Sequence, residues 1–183
     1  MEPVVIRSRR RTLSMEIKQG RLIIRAPYLA TDREIARFIQ SHQSWIDSHL
    51  SKAQMREQEL KSVHRLTEQE LQDLAARALK VIPERVAHYA PLIGVTYGRI
   101  TIRNQRTRWG SCSAKGNLNF NCLLMLAPPG VLDSVVVHEL CHRKHMNHSA
   151  AFYAEVLRVF PDYWAQHGWL KAHGDQLLAM QES

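Results

Sequence analysis

Apolar residues fall into short alternating runs at the start of the chain and into helical spacing over most of the remainder. Val4-Val5-Ile6, then Leu13, Met15 and Ile17, then Leu22-Ile23-Ile24 predict strands, and Gln19-Gly20 between the last two is a turn signal. Residues 3–26 therefore read as a small antiparallel meander. Ala26-Pro27 closes it, because a residue before proline is pushed to extended geometry. Thr31 with Glu34 three positions on is a capping-box pattern, and Ile35, Phe38, Ile39, Trp45, Ile46 and Leu50 come next at helical spacing, predicting a helix to about residue 60. Residues 52–61 are so rich in charge that they read as a solvated helix end or connection.

A second helix opens at Thr67, with Glu70 at the box position and Leu71, Leu74, Ala75, Ala78, Leu79 and Ile82 as its apolar face. Pro83 falls inside the pattern and is expected to kink or divide it. Gly94 and Gly98 bracket Val95-Thr96-Tyr97, and residues 99–103 then alternate as a strand. Residues 104–116 read as a polar loop. Residues 117–124 alternate with period two, placing Leu118, Phe120 and Cys122 on one face of a strand. Residues 127–130 stop that strand, and residues 131–145 read as a mostly buried helix. One more helix begins after Ser149 and ends at Pro161, and another spans about residues 163–180. The expected class is α+β, with residues 1–62 as a β-meander plus helix and residues 63–183 as a second, larger domain, the two packing as separate domains or as one unit.

Composition narrows this little: 45% hydrophobic and 23% charged residues in 183 are ordinary globular values. No apolar run approaches the roughly 18 residues of a membrane span, and the basic stretch at residues 7–11 precedes no apolar core of a secretory signal. A cytoplasmic location without membrane association is expected. Three cysteines without a C-x-x-C pair suggest free thiols rather than a disulfide framework or a zinc ribbon. The net charge of +8 favours anionic partners such as a nucleotide or nucleic acid, or is simply a solvated basic surface.

Chemistry concentrates at residues 135–149. His138-Glu139-Leu140-Cys141-His142 fits H-E-x-x-H, in which two imidazoles one helical turn apart grip one zinc ion while the intervening carboxylate shuttles protons. Zinc so held lowers the pKa of a bound water to about 7, and Glu139 takes its proton as it attacks a carbonyl. A third ligand is needed. His145 sits three residues beyond His142, at about 1.5 Å of rise each, and overshoots an ion held between the first pair. His148 lies about 9 Å further along a continuous helix, but if the helix stops near Met146 the chain can fold back. Asn147 suits the left-handed conformation that ends helices, and Ser149 suits the cap of the next. His148 is therefore the expected third ligand, and His145 a neighbour that supports the site or faces substrate. A purely structural zinc fits less well, since thiolate ligands are missing and Glu139 would be idle. Cys141 is read as core.

The chain resembles the YgjP-like zinc metallopeptidases, relatives of the WLM and SprT-like zincins. The resemblance is carried by residues 106–113, by Asn117-Leu118-Asn119, Pro128-Pro129, the His138–His142 pentad, Asn147-His148-Ser149 and Phe152, and by residues 9–14 and 25–27. Phe152-Tyr153 departs from the Phe-Trp usual in similar proteins, a change expected to alter packing rather than chemistry. The resemblance implies a zincin-like α+β catalytic domain with one zinc ion on His138, His142 and His148 and with Glu139 as general base; it names no physiological substrate.

Around this centre, Arg106 and Arg108 can stabilise an oxyanion or an anionic substrate group, with Trp109 as a cleft wall. Alternatively, Trp109 is a core anchor and the arginines pair with acids such as Asp133. Asn119 lies on a stretch that can serve as the edge strand along which a substrate pairs, or simply as part of a sheet. Tyr153 and Tyr163 read as core aromatics able to donate to an oxyanion. Three functions fit: a zinc peptidase acting on a peptide or protein substrate, a metal-dependent hydrolase of nucleoside triphosphates, and a nucleic-acid-binding protein with a structural metal.

Overall fold

The computed structural model describes residues 3–18 and 20–181. They form two compact units, residues 1–62 and residues 63–183.

The first unit holds β1 (Val4–Ser8), β2 (Ser14–Lys18) and β3 (Arg21–Pro27), then α1 (Asp32–Ser41) and α2 (Gln43–Ser62). The strand order is β1-β3-β2, with β1 parallel to β3 and β2 antiparallel to it. The parallel pair corrects the expected antiparallel meander. β3 has the cleanest alternation, burying Leu22, Ile24 and Ala26, and takes the centre, while β1 keeps Val4, Val5 and Ile6 at 40–43% exposure on an edge. Of the expected turn, Gln19 lies outside the described residues and Gly20 adopts φ 69°, a left-handed conformation glycine takes without penalty. Ile35 and Ile46 cover the buried face of β3.

Both capping boxes form, at Thr31/Glu34 and at Thr67/Glu70. The single helix expected over residues 31–60 is two, because it breaks at His42. There the Ser41 hydroxyl donates to the Phe38 carbonyl at 2.9 Å and the His42 ring lies 2.8 Å from the same oxygen, diverting it from the helical ladder.

The second unit opens with α3 (Glu68–Ile93), which runs through Pro83 undivided and ends at Gly94, φ 76°. Leu79, expected on its buried face, is exposed. Next comes a sheet built from β4 (Ile100–Arg103), β5 (Gly110–Cys112) and β6 (Leu118–Asn121) in the order β4-β6-β5. β5 falls inside the expected loop, since three residues are too few to show alternation. The central strand β6 ends at Asn121, whose side-chain oxygen accepts from the Leu123 amide at 3.1 Å and starts a 3-10 turn over Cys122–Leu126. Helices α4 (Pro129–Cys141), α5 (Ala150–Val159) and α6 (Tyr163–Ala179) complete the unit.

Its core joins α3 (Ala78, Ile82, Val86), β6 (Leu118, Phe120) and α4 (Val136, Val137, Leu140) to Phe152 and Val156 of α5. Asp133 of α4 is gripped by Arg85 through two bonds of 2.7 Å, so the pairing expected with Arg106 or Arg108 belongs to Arg85. The three cysteines are free. No helix among the described residues is long and apolar enough to cross a membrane.

Glu155 of α5 receives Arg158 and Lys144, with nitrogen-oxygen distances of 2.8 and 2.7 Å. Hydrogen bonds from Arg158 and then Lys144 hold its carboxyl down to about 2. Its pKa in an unfolded chain is about 4.3. A carboxylate depressed on folding adds stability above its unfolded pKa and loses it as pH falls toward the folded value. Stability should thus decline from about pH 4.5 to pH 2. In Glu155→Gln this limb should flatten, and denaturation at pH 7 should show a loss of about 1–3 kcal/mol.

Candidate metal centre

α4 is apolar around its whole circumference: Val131, Leu132, Val135, Val136, Val137, Leu140 and Cys141 are all buried. Such a helix must be packed on every side, and its two histidines open onto a recess among its neighbours. His138 and His142 are one turn apart and present their rings to the same face, with centroids 4.9 Å apart.

The helix ends at Cys141, a turn earlier than expected, with His142 as its cap. The Arg143 amide bonds to the Leu140 carbonyl and the amides of Lys144 and His145 both turn back to that of Cys141, which tightens the last turn and releases the chain. Ser149 then caps α5, its hydroxyl accepting from the Phe152 amide at 3.3 Å. Between these two points the chain folds back and carries His148 to within 3.0 Å of His138, Nε2 to Nε2. The candidate ligand atoms of His138, His142 and His148 lie within 4.8 Å of one another, a group that could hold a metal ion.

The far side of each α4 ring is anchored. His142 Nδ1 donates to the His145 carbonyl at 3.0 Å, leaving its Nε2 as a lone pair, and His138 Nδ1 lies 2.9 Å from the Tyr163 hydroxyl. Such outer bonds fix ring orientation at metal sites. Phe152, fully buried, is a common floor: its ring centre is 4.9, 4.7 and 5.0 Å from those of His138, His142 and His148.

Burial, then the neighbouring rings of His142, His148 and His167, pushes His138 down to about 3. His142 is lowered too, chiefly by burial. Both stay neutral, the form that ligates. Glu139, 6% exposed, is driven up to about 8 by burial. A cation beside it acts in the opposite sense. The donor set fits zinc. Two imidazoles on one tetrahedral ion at about 2.0–2.1 Å stand about 3.3 Å apart, close to the 3.0 Å between His138 and His148, while the three ligand atoms together lie within 4.8 Å. Thiolates are disfavoured: burial raises Cys112, which lines the recess, and lifts Cys141 to about 12.

The other candidate residues divide. Arg108, exposed, lines the recess with Met146, Cys112 and Gly110, while exposed Arg106 is not among its walls. Trp109 packs against Gly174 of α6 and lines an adjoining cavity; it is not among the walls of the three-histidine recess itself. His145 contributes its main-chain carbonyl and is not one of the three converging rings. Asn119 sits on the central strand, its side chain bonded to Ser111 and Arg103, so the exposed edge of this sheet beside the recess is β5.

Two contributions escape sequence reasoning: the hold on His138 by Tyr163, expected only as a core aromatic or oxyanion donor, and the close approach at Gly110. Tyr163 lies twenty-five residues beyond the histidine it holds, with nothing local to mark the link. Gly110 is required by a close approach: a Cβ there would lie 2.7 Å from both Cγ and Oε1 of Glu139.

A mixed helix and sheet unit presenting three imidazoles and a buried carboxylate around one recess defines a metal-dependent hydrolase. The model of the family described as YgjP-like, metallopeptidase domain, matches residues 11–73 and 63–173, and the chain belongs to that family. Among solved structures, the metallopeptidase zymogen of Pyrococcus abyssi abylysin is similar at 21% identity, over 51% of this chain and 93% of that one, with a TM-score of 0.45. The zymogen of Methanocaldococcus jannaschii jannalysin is similar at 22%, over 52% and 96%, with a TM-score of 0.44. Likenesses at that level carry no conclusion for this chain. No curated protein matches it in sequence.

Gly110→Ala should force the Glu139 side chain aside, costing about 1–3 kcal/mol by overpacking and lowering hydrolytic turnover. Thermal denaturation and turnover measured on the same preparation check both. Unchanged turnover would show that the contact does not position the carboxylate.

Proposed function

We propose that residues 63–183 form a zincin-like catalytic unit of a zinc-dependent metallopeptidase, in which His138, His142 and His148 hold the ion and Glu139 is the general base. The observation that carries this reading is the convergence of three imidazoles, two of them anchored from behind, on a recess that also holds the Glu139 carboxylate. Zinc bound there supplies a Lewis acid and acidifies water. The protein's own part is proton transfer and positioning. Glu139 takes a proton from the attacking water and delivers it to the leaving nitrogen, so that a carbon-oxygen bond forms as the carbon-nitrogen bond breaks.

The edge of β5 supports an extended peptide as substrate. The Asn121 amide bonds to the Trp109 carbonyl and the Ser113 amide to the Asn117 carbonyl, both at 2.9 Å, so Trp109 and Ser113 face β6. By alternation the main-chain groups of Gly110 and Cys112 face away from it, where another strand can pair. A polyphosphate, by contrast, calls for several cations. Among the walls of the recess are one arginine, Arg108, and the carboxyl-bearing Glu139, which favours the amide over the phosphoanhydride.

Glu139→Gln should retain one zinc per chain by elemental analysis while casein or peptide hydrolysis falls by about 10²–10⁴-fold. His148→Ala should lose the zinc, and His145→Ala should keep it. Full activity in Glu139→Gln would end the general-base assignment, and zinc kept by His148→Ala but lost by His145→Ala would reverse the third ligand. Tyr163→Phe should weaken zinc affinity by about tenfold or more, the usual cost of losing a histidine's outer partner, measured by competition with a chelator.

A further inference from the structure

Next to the three-histidine recess lies a second cavity of about 240 Å³. His138, Glu139, Gly110 and Arg108 are walls common to both. We infer that this second cavity receives one large apolar side chain, aromatic or long aliphatic, of a peptide lying in the cleft, adjacent to the bond that is cut. The inference rests on the peptidase reading of the neighbouring recess and adds to it the class of residue the enzyme selects.

Size gives the first argument. Pockets for whole small molecules run to roughly 300–1,000 Å³, and this one is smaller, as suits a single side chain. The shared walls give the second. A peptide whose carbonyl meets Glu139 and His138 has its neighbouring side chain within reach of the adjoining space, without a further channel to cross.

The lining gives the third. Val135 of α4, Leu170 of α6 and the rings of Tyr163 and Trp109 supply apolar surface. Two of the polar groups among the walls already have a partner. The Ser134 hydroxyl donates to the Val131 carbonyl at 2.7 Å, and the Tyr163 hydroxyl is 2.9 Å from His138 Nδ1. The Ser134 proton is thus used internally, and the apolar residues set the main character of the walls, with Thr107 and His167 as further polar members. Trp109 cannot retreat to enlarge the space, because Gly174 backs it so closely that a Cβ there would lie 3.2 Å from Cζ2 of the indole.

Leu170 lines the second cavity and not the histidine recess, so it can be changed without touching the reacting centre. Zinc-loaded protein given a randomised peptide mixture should cut with about tenfold or greater preference for residues such as Phe, Leu or Met over Gly or Lys at one position flanking the bond. Leu170→Trp, which fills the cavity, should turn that preference toward Gly and Ala, and Leu170→Ala should move it toward Trp. Binding is read separately by the indole NMR signal of Trp109 on addition of N-acetylphenylalanine amide or N-acetyllysine amide. The first should shift the signal in the wild type and not in Leu170→Trp, and the second should leave it in place. An unaltered cleavage profile in both Leu170 variants, or an equal response to the two amides, overturns the proposal. If the phenylalanine amide binds as described and no peptide is cut, the pocket stands and the peptidase reading falls. Peptides cut without preference at either flanking position would do the reverse.

Discussion

Burial of α4 on every side is the constraint that generates the site. A helix with no polar face cannot lie on a surface, so α3, α5, α6, β5 and the 3-10 turn after β6 enclose it, and the carboxylate and imidazole it carries are enclosed with it. Enclosure penalises charge. Glu139 moves up to about 8 and His138 down to about 3, each toward its neutral form. A divalent cation reverses the balance for the carboxylate, and it takes the lone pairs that neutral imidazoles offer. The same burial that gives the unit a core thus keeps the candidate ligand His138 neutral, the form that can ligate.

Much of this is legible in the chain. Four-residue spacing places His138 and His142 on one face wherever they lie in a helix, and the valines before them announce burial. Both capping boxes are readable because they are local, each resting on two residues three apart. Contacts between distant segments are not. The parallel β1–β3 pair depends on where the intervening strand goes, and β5 owes its strand geometry to pairing with β6, not to its own three residues. Periodicity carries the end of α4 a turn too far because Lys144 and His145 continue a helical pattern well enough; it is the bonds back to Leu140 and Cys141 that tighten the chain there. Leu79 shows the limit of periodicity from the other side, since an apolar residue at the right spacing can still face water. The resemblance read from the Trp109–Ser113 box and the histidine motif agrees with the family match.

The sheet contributes more than a wall. β5 approaches α4 so closely that a Cβ on its first residue would press on the Glu139 side chain, and this contact holds the Glu139 carboxyl beside a strand edge. Gly110 therefore links Glu139, the proposed proton carrier, to the strand edge proposed for the substrate. Trp109, one residue earlier, carries the same strand to α6 through Gly174. Two adjacent residues at the start of one short strand, neither distinctive by hydropathy, tie the reacting centre to the side-chain cavity beside it.

The two anchored histidines are held by different kinds of partner. His142 bonds to a main-chain carbonyl, which every amino acid at position 145 supplies, whereas His138 depends on a hydroxyl that only the side chain at position 163 brings. Mutational drift therefore meets unequal resistance on the two sides of one centre. Position 145 is open to exchange so long as the backbone keeps its course, and there an engineer could install a new contact to substrate without loosening His142. Position 163 has no such latitude.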